Sequence, residues 1–543
     1  MKNRQGVLTP VVRFCASFLH SQGNCGRTSM RTVFVCLLGW LMVTALAVDY
    51  VNAASTFAFQ SVIKKAQELA KAPYQENPRN IPDFLSHMGY DAWRDIRFKP
   101  EHALWKNEKT PFRVQFFHPG MMYNKPVRIN VVDSIGIREI PFSPNLFTYG
   151  QNTFQDRIPG DLGFAGFRLH YPLNTKDYYD EVAVFLGATY LRAVAQGQQY
   201  GMSARGLAVN TALSEGEEYP SFVEFWIVRP SATSGEIIVY ALLDSKSLTG
   251  AYKYVVRPGK ETVILISSVL FMREDIAKLG LAPLTSMFYY GETSNERPAH
   301  DFRPEVHDSD GLLIAFDSGE WLWRPLINPR TLQVHAFEAP SPAGFGLLQR
   351  DKDFNNYQDL ESRYDLRPSV WISPNERWGQ GHIELIQIPT GSDANDNILA
   401  FWTLGRSPRA GEKVSFSYTM TWYSPDGDRP PGGRVLATRM VRGRDERSRK
   451  FIIDFIDGQL ETFPADKALT AVITVDDRTQ LLEQQLYKNR VTKGWRLVFK
   501  VSMEEDGAID KVLLPKRSPL EFRAFLKEGE NAVTETWNYA CQP

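Results

Sequence analysis

Two short acidic segments carry residues whose types and spacing suit acid–base chemistry. One is His307-Asp308-Ser309-Asp310-Gly311, and the other is Asp393-Ala394-Asn395-Asp396-Asn397. Each stands directly before an apolar run with strand character, and loops at strand ends are where a fold can hold reactive groups on a rigid base. Glycoside hydrolysis needs one protonated carboxyl beside the leaving oxygen. In its inverting form a second carboxylate activates water from about 6.5–9.5 Å away. Between the two segments lie Trp321, Trp323, Tyr364, Trp371 and Trp378, interleaved with Arg324, Arg363 and Arg367. Sugars present apolar CH faces and hydroxyl edges, which flat rings beside carboxylates and guanidinium groups match.

Blander readings stand beside this one. Asp and Asn are ordinary turn residues, and aromatic side chains fill β cores. Asp393, Asn395 and Asn397 have the alternate spacing of a calcium loop, but Ile398 and Leu404 occupy the positions where Gly and Glu belong. No metal ligand set is therefore expected. HExxH, GxGxxG and P-loop patterns are absent, so no zinc, dinucleotide or nucleotide cofactor is indicated. Gly201-Met202-Ser203-Ala204-Arg205-Gly206 is one residue too long for a nucleophile elbow.

The elements that must position these groups read as strands. Phe112, Val114 and Phe116 alternate with polar neighbours, as do Val127, Ile129 and Val131. Further strands are expected at 237–243, 252–256, 262–271 and 383–388. One helix is expected over 61–72, stopped by Pro73, and a helical patch over 273–279. Many short strands without βαβ alternation predict an all-β fold, a large β-sandwich with a cleft over 54–424. SPDGDRPPGGR (Ser424–Arg434) reads as a linker, placed at 425–434. Seven strand-like runs follow, at 435–441, 451–456, 460–463, 471–475, 495–501, 520–526 and 534–539. They predict an immunoglobulin-like sandwich over 435–543.

The amino-terminal end reads as an export signal. Met30-Arg31 precedes an apolar run from Val33 to Val48, then Val51-Asn52-Ala53-Ala54, with cleavage expected after Ala53. The alternative is an uncleaved anchor helix, for which the run is short. Translation begins at Met1 or at Met30, and no twin-arginine pair precedes the apolar run. No stable membrane insertion is expected after cleavage. Of four cysteines only Cys541 lies downstream, which rules out an internal disulfide in the mature chain. The 543 residues carry 62 Lys+Arg against 62 Asp+Glu, and residues 1–53 hold five of the basic and one of the acidic residues. The remainder is mildly acidic with no basic run, which argues against nucleic-acid binding.

Longer stretches carry a resemblance. DLGFAGFRLHYP (Asp161–Pro172), YGMSARGLA (Tyr200–Ala208), GAYKYVV (Gly250–Val256), LGLAPLTSMF (Leu279–Phe288), HDSDGL (His307–Leu312), GEWLWRPL (Gly319–Leu326), FGLLQRDKDF (Phe345–Phe354) and RYDLRPS (Arg363–Ser369) occur in one order. From about Phe57 to Trp537 the chain resembles the periplasmic glucan biosynthesis protein G family, whose close relative is the D protein. The resemblance implies a periplasmic protein of osmoregulated glucan biosynthesis, with a β-1,2-linked glucan as its partner and possible contact with the inner-membrane synthase. It also implies similarity to inverting β-1,2-glucanases, with Asp396 as acid and Asp308 as base through a relay of waters and substrate hydroxyls. Tyr364 and Asp393 would line the cleft near the acid, Asp393 standing where better-known members have Glu. Arg367, Trp321, Trp323 and Trp371 complete the expected substrate wall. Endo-acting hydrolysis, non-catalytic glucan binding and branching transglycosylation all remain compatible with such a cleft.

Overall fold

The computed structural model describes residues 57–76, 81–187, 189–294, 297–425, 429–443, 447–503 and 518–541. The expected signal segment, residues 1–53, lies outside the described residues, as do 426–428 of the expected linker. Among the described residues no helix is long and apolar enough to cross a membrane.

The alternating patterns become strands. A ten-stranded sheet runs from Arg113–Phe117 through Gly166–Tyr171, Asp180–Leu186, Tyr190–Ala193, Ser203–Arg205, Leu279–Ser286, Ile398–Leu404 and Gly381–Gln387 to Gln333–Glu338, with Leu207–Val209 also paired to Leu279–Ser286. A fifteen-stranded sheet faces it. Its strands include Ser221–Val228, Ile237–Asp244, Leu248–Arg257, Thr262–Met272 and Lys413–Tyr423. Inward side chains of both fill one core: Phe116, Phe167 and Phe185 from the first meet Phe225, Tyr254 and Ile266 from the second. Period-two alternation dictates this, since successive side chains leave a strand on opposite faces. Helix Phe59–Ala70 sets Val62 and Ala66 against the outer side of the larger sheet, beside Trp226, Tyr240 and Ala251.

After residue 433, Arg434–Arg442, Ser448–Ile456, Trp495–Met503 and Thr479–Lys488 form a four-stranded sheet. Thr470–Thr474, Leu520–Glu528 and Thr536–Cys541 lie in the other layer and continue the fifteen-stranded sheet. The continuation is a short parallel seam, Leu322 opposite Thr536 and Trp323 opposite Trp537. A second core, with Phe451, Phe499, Phe522 and Trp537, takes in Leu313, Trp323, Leu348 and Trp371 from the preceding sequence. The fold is all-β, a large sandwich followed by a smaller one.

Three local expectations change. Residues 273–278 form no helix, because the Arg273 and Ile276 amides donate outward to Ser247 (2.7 Å) and Pro408 (3.0 Å). The expected strand at 460–463 falls instead on a 3-10 turn, Gly458–Glu461, that buries Leu460. Strand Thr479–Lys488 was not anticipated, since its side chains are mostly polar and exposed.

Candidate active site

On the ten-stranded sheet Leu191, Ala193, Ala204 and Leu284 enter the core, so their neighbours Tyr190, Arg192, Ser203 and Thr285 take the outer face. Over that face comes the loop before Ile398–Leu404, bringing Asp396. The Asp396 carboxylate is exposed and accepts hydrogen bonds from the Ser203 hydroxyl (3.3 Å) and the Thr285 hydroxyl (3.4 Å), which are 2.6 Å from each other. Neighbouring Asn397 locks the loop: its amide donates to the Phe288 and Ile388 carbonyls (3.1 and 3.0 Å) and its oxygen accepts from the Phe288 amide (2.8 Å). Register therefore leaves Asp396 little freedom.

The end of the same strand holds Asp308. Its amide donates to the Met287 carbonyl (2.8 Å), and Ser309 and Ser286 hydroxyls meet at 2.7 Å. Thr285 thus supports one acidic segment and Ser286 with Met287 the other. The Asp308 side chain is only 5% exposed, and it is engaged by Arg367. Arg367 also donates to the Ser362 carbonyl (3.2 Å) and lies over the Tyr364 ring, 4.1 Å from its centroid. Burial, and then the cation of Arg192, pull the Arg367 guanidinium down to about 10, with Asp393 and Asp396 acting in the opposite sense. The charges of both acidic segments therefore reach the same guanidinium.

Tyr364 is buried, its phenol pushed up to about 12 by burial and by Asp393. Asp393 pairs with Arg303 at 3.0 Å, and Arg303 also holds Asp301 (2.7 Å) and Asp359 (3.1 Å). Asp393 thus has a cationic partner of its own. His307, 1% exposed, lies between Glu305 (3.0 Å) and Gln349 (3.0 Å) and stacks on Phe288. Gln349 donates onward to Tyr357 (3.0 Å) and to the Tyr364 carbonyl (3.2 Å), tying the HDSDG and RYDLRPS segments together.

Asp308, Asp396, Tyr364, Arg367 and Asp393 form one neighbourhood; the tryptophans belong elsewhere. Trp323 and Trp371 are each 3% exposed in the second core, so neither keeps a face for a sugar. Trp321 is half-buried, stacks on Trp371 at 5.5 Å and lines a cavity whose walls include none of those five residues. Arg324 is buried beside the seam, bonded to Glu521 (2.7 Å) and Asn538 (2.5 Å). Their spacing in sequence reflected a period-two strand pairing with the carboxyl-terminal layer. Among the described residues no three His, Cys, Asp or Glu side chains gather as a metal would require.

Sequence reasoning missed Arg192. Its guanidinium lies 5.3 Å from the Tyr190 ring centroid and 6.0 Å from that of Tyr200, and its buried Nε has no hydrogen-bond partner among the described residues. Burial pushes the Tyr190 phenol up to about 12, Arg192 pulling against the rise and Asp396 adding to it. The signal was the Tyr-Leu-Arg-Ala alternation, which sends Tyr190 and Arg192 to one face. Gly201 matters here through packing rather than as part of a nucleophile elbow. A methyl group there would sit 2.8 Å from the Arg367 Cβ, so only glycine allows this approach.

Comparison with known proteins gives this chain relatives. The family model described as "Periplasmic glucan biosynthesis protein, MdoG" matches residues 57–541. "Glucans biosynthesis protein G" of Ralstonia nicotianae is 44% identical over 513 residues, which cover 93% of this chain and 99% of that protein. Two solved structures are far more distant. The alpha-galactosidase AgaA of Geobacillus stearothermophilus gives a TM-score of 0.24 at 11% identity, over 48% of this chain and 39% of that one. A galactose mutarotase related enzyme of Lactobacillus acidophilus gives 0.20 at 8% identity, over 44% and 96%. Likeness at that level carries no argument. The match over nearly all described residues does: the chain belongs to the periplasmic glucan biosynthesis protein MdoG family.

Proposed function

We propose that this protein acts in the periplasm on the β-1,2-linked backbone of a glucan, cleaving it internally with inversion. Asp396 serves as the acid and Asp308 as the base. The observation that carries the reading is the shared anchoring of both residues at the end of strand Leu279–Ser286, the Asp396 carboxylate through Thr285 and the Asp308 backbone amide through Met287, the residue after it. In this scheme Asp396 protonates the leaving glycosidic oxygen. Exclusion of water by the bound sugar chain is what that role requires of an exposed carboxyl. Asp308 lies under Arg367, so it takes up the proton of the attacking water through intervening water and substrate hydroxyls rather than by direct contact. Arg367 is the counter-cation of Asp308, and the Arg192 guanidinium, beside the Tyr190 ring, supplies donors for sugar hydroxyls on that side. The nascent chain would come from the inner-membrane glucan synthase.

A second reading has its own support. Asp308 is nearly sealed by Arg367; if that contact persists with glucan bound, the site holds the chain without cutting it. Incubation with linear β-1,2-glucan separates the two. New reducing ends that vanish in Asp396→Asn, with glucan binding retained, support hydrolysis. Intact bound glucan supports the holding role, and loss of binding together with cleavage makes Asp396 structural.

A further inference from the structure

The seam between strands Trp321–Pro325 and Thr536–Cys541 pairs only two residues from each side before the strands part. Where they part, a cavity of about 620 Å³ opens between Gly319–Trp321 and Ala532–Thr536. Pro430–Gly432 form its third side, and Arg523 and Phe525 contribute from strand Leu520–Glu528. We propose that this cavity is a second saccharide site, which binds a segment of neutral glucan chain apart from the carboxylate site.

Three features select that ligand. First, the cavity has an aromatic platform. One face of the Trp321 indole rests on Trp371, with ring centroids 5.5 Å apart and planes at 20°, so the ring is held flat while its residue keeps partial exposure to the cavity. Its indole N–H makes no hydrogen bond to the described residues and is a free donor, and the half-buried Phe525 supplies a second ring. Second, polar groups are fixed beside the rings. Glu320 accepts from Arg523 (2.5 Å) and from the Thr536 hydroxyl (2.8 Å), which leaves further Arg523 N–H groups and carboxylate lone pairs for vicinal hydroxyls. Third, the charges cancel. Glu320 is paired with Arg523, and Glu535, also at the cavity, is paired with Arg350. Among the described residues that line the cavity, a phosphate or carboxylate ligand would find no surplus cation, and a cationic ligand no surplus anion. A wholly apolar ligand would have to bury the ion pair. A pyranose ring, apolar on its faces and hydroxylated at its edge, fits all three.

Two sites on one protein hold a polymer better than either alone, because engagement at one raises the effective concentration at the other. The proposal rests on the reading above only in taking glucan as the ligand.

The test uses the full chain labelled with 5-fluorotryptophan and carrying Asp396→Asn to prevent turnover. The Trp321 fluorine resonance is the one missing from the spectrum of Trp321→Phe. On titration with linear β-1,2-glucan it should shift saturably. Phe525→Ser should weaken the apparent affinity read from it roughly tenfold, the loss expected for one aromatic contact, while the other tryptophan resonances of the unliganded protein stay in place. An unmoved Trp321 resonance, or an affinity unchanged by Phe525→Ser, overturns the second site. Reducing-end release by the unsubstituted protein reports separately on the carboxylate site, so either idea can fail alone.

Discussion

Replacing Glu535 with alanine removes one half of a buried ion pair that clamps the carboxyl-terminal strands to the segment after HDSDG. Arg350 and Glu535 side chains are 3% and 0% exposed, and their two hydrogen bonds measure 2.6 and 2.9 Å. Glu535 also accepts the Val435 amide at 2.7 Å, and the guanidinium lies 3.6 Å from the Trp323 ring centroid. Alanine leaves the Val435 amide buried without its acceptor and the guanidinium without its counter-charge, with only the Val435 carbonyl (3.2 Å) to accept from it. Breaking such a pair costs about 3–5 kcal/mol, roughly a fifth or more of a total that is commonly about 5–15 kcal/mol. Glu535→Gln keeps an acceptor for Val435 but loses the charge and turns the oxygen facing the second Arg350 N–H into a donor, so its cost should fall between that of alanine and zero. Arg350→Met with Glu535→Leu removes both charges and retains apolar volume. The orphaned Val435 amide then sets the penalty, about 1–3 kcal/mol. Equilibrium urea unfolding, followed by tryptophan fluorescence and circular dichroism, ranks the variants. The reasoning fails if Glu535→Ala costs less than about 1 kcal/mol, or if the double variant is as unstable as the alanine one.

Three further outcomes are expected. Arg192→Met should raise KM for β-1,2-glucan about tenfold with kcat changed little, the pattern of lost uniform binding; an unchanged KM would remove Arg192 from the site. Gly201→Ala should displace Arg367 from Asp308, cutting turnover and costing about 1–3 kcal/mol of stability through overpacking; full turnover would show that Arg367 is not needed where it lies. Burial alone would push the His307 imidazole down, but Glu305 and Asp310 beside it outweigh that and raise it from 6.5 to about 9. Its contribution to stability is then full below about pH 6.5 and is lost as pH climbs through about 9. Glu305→Gln should flatten that slope in thermal melts between these limits, and a slope unaltered by the substitution would dissociate His307 from it.

What the sequence revealed follows from how each signal arises. Alternation at Phe112–Phe116 and Val127–Val131 reports directly on a buried face, and both segments are strands with those residues in the core. Thr479–Lys488 is a strand held mainly by pairing to Trp495–Met503, and its Glu and Gln side chains give no apolar period to detect. Residues 273–278 have helical composition, but their amides are claimed by carbonyls distant in sequence, information that no local window contains. Asp308 and Asp396 could be named because they sit in short polar turns before apolar strands. Trp323 and Trp371 could not be told from binding residues, because an indole in a core and an indole in a cleft have the same one-letter signature. Arg192, Ser203 and Thr285 reach the site through sheet register, which only the pairing of Ser203 with Thr285 makes visible.

The two-residue seam has a chronological consequence. Arg324 and Asn538, bonded across it, are 214 positions apart, so the junction cannot close until everything between them has left the ribosome. A chain delivered amino-terminus first would wait with the edge at Trp321–Pro325 unpaired and Trp323 uncovered. Such an edge invites pairing with a foreign strand. Shielding it during that interval falls to whatever escorts the newborn polypeptide.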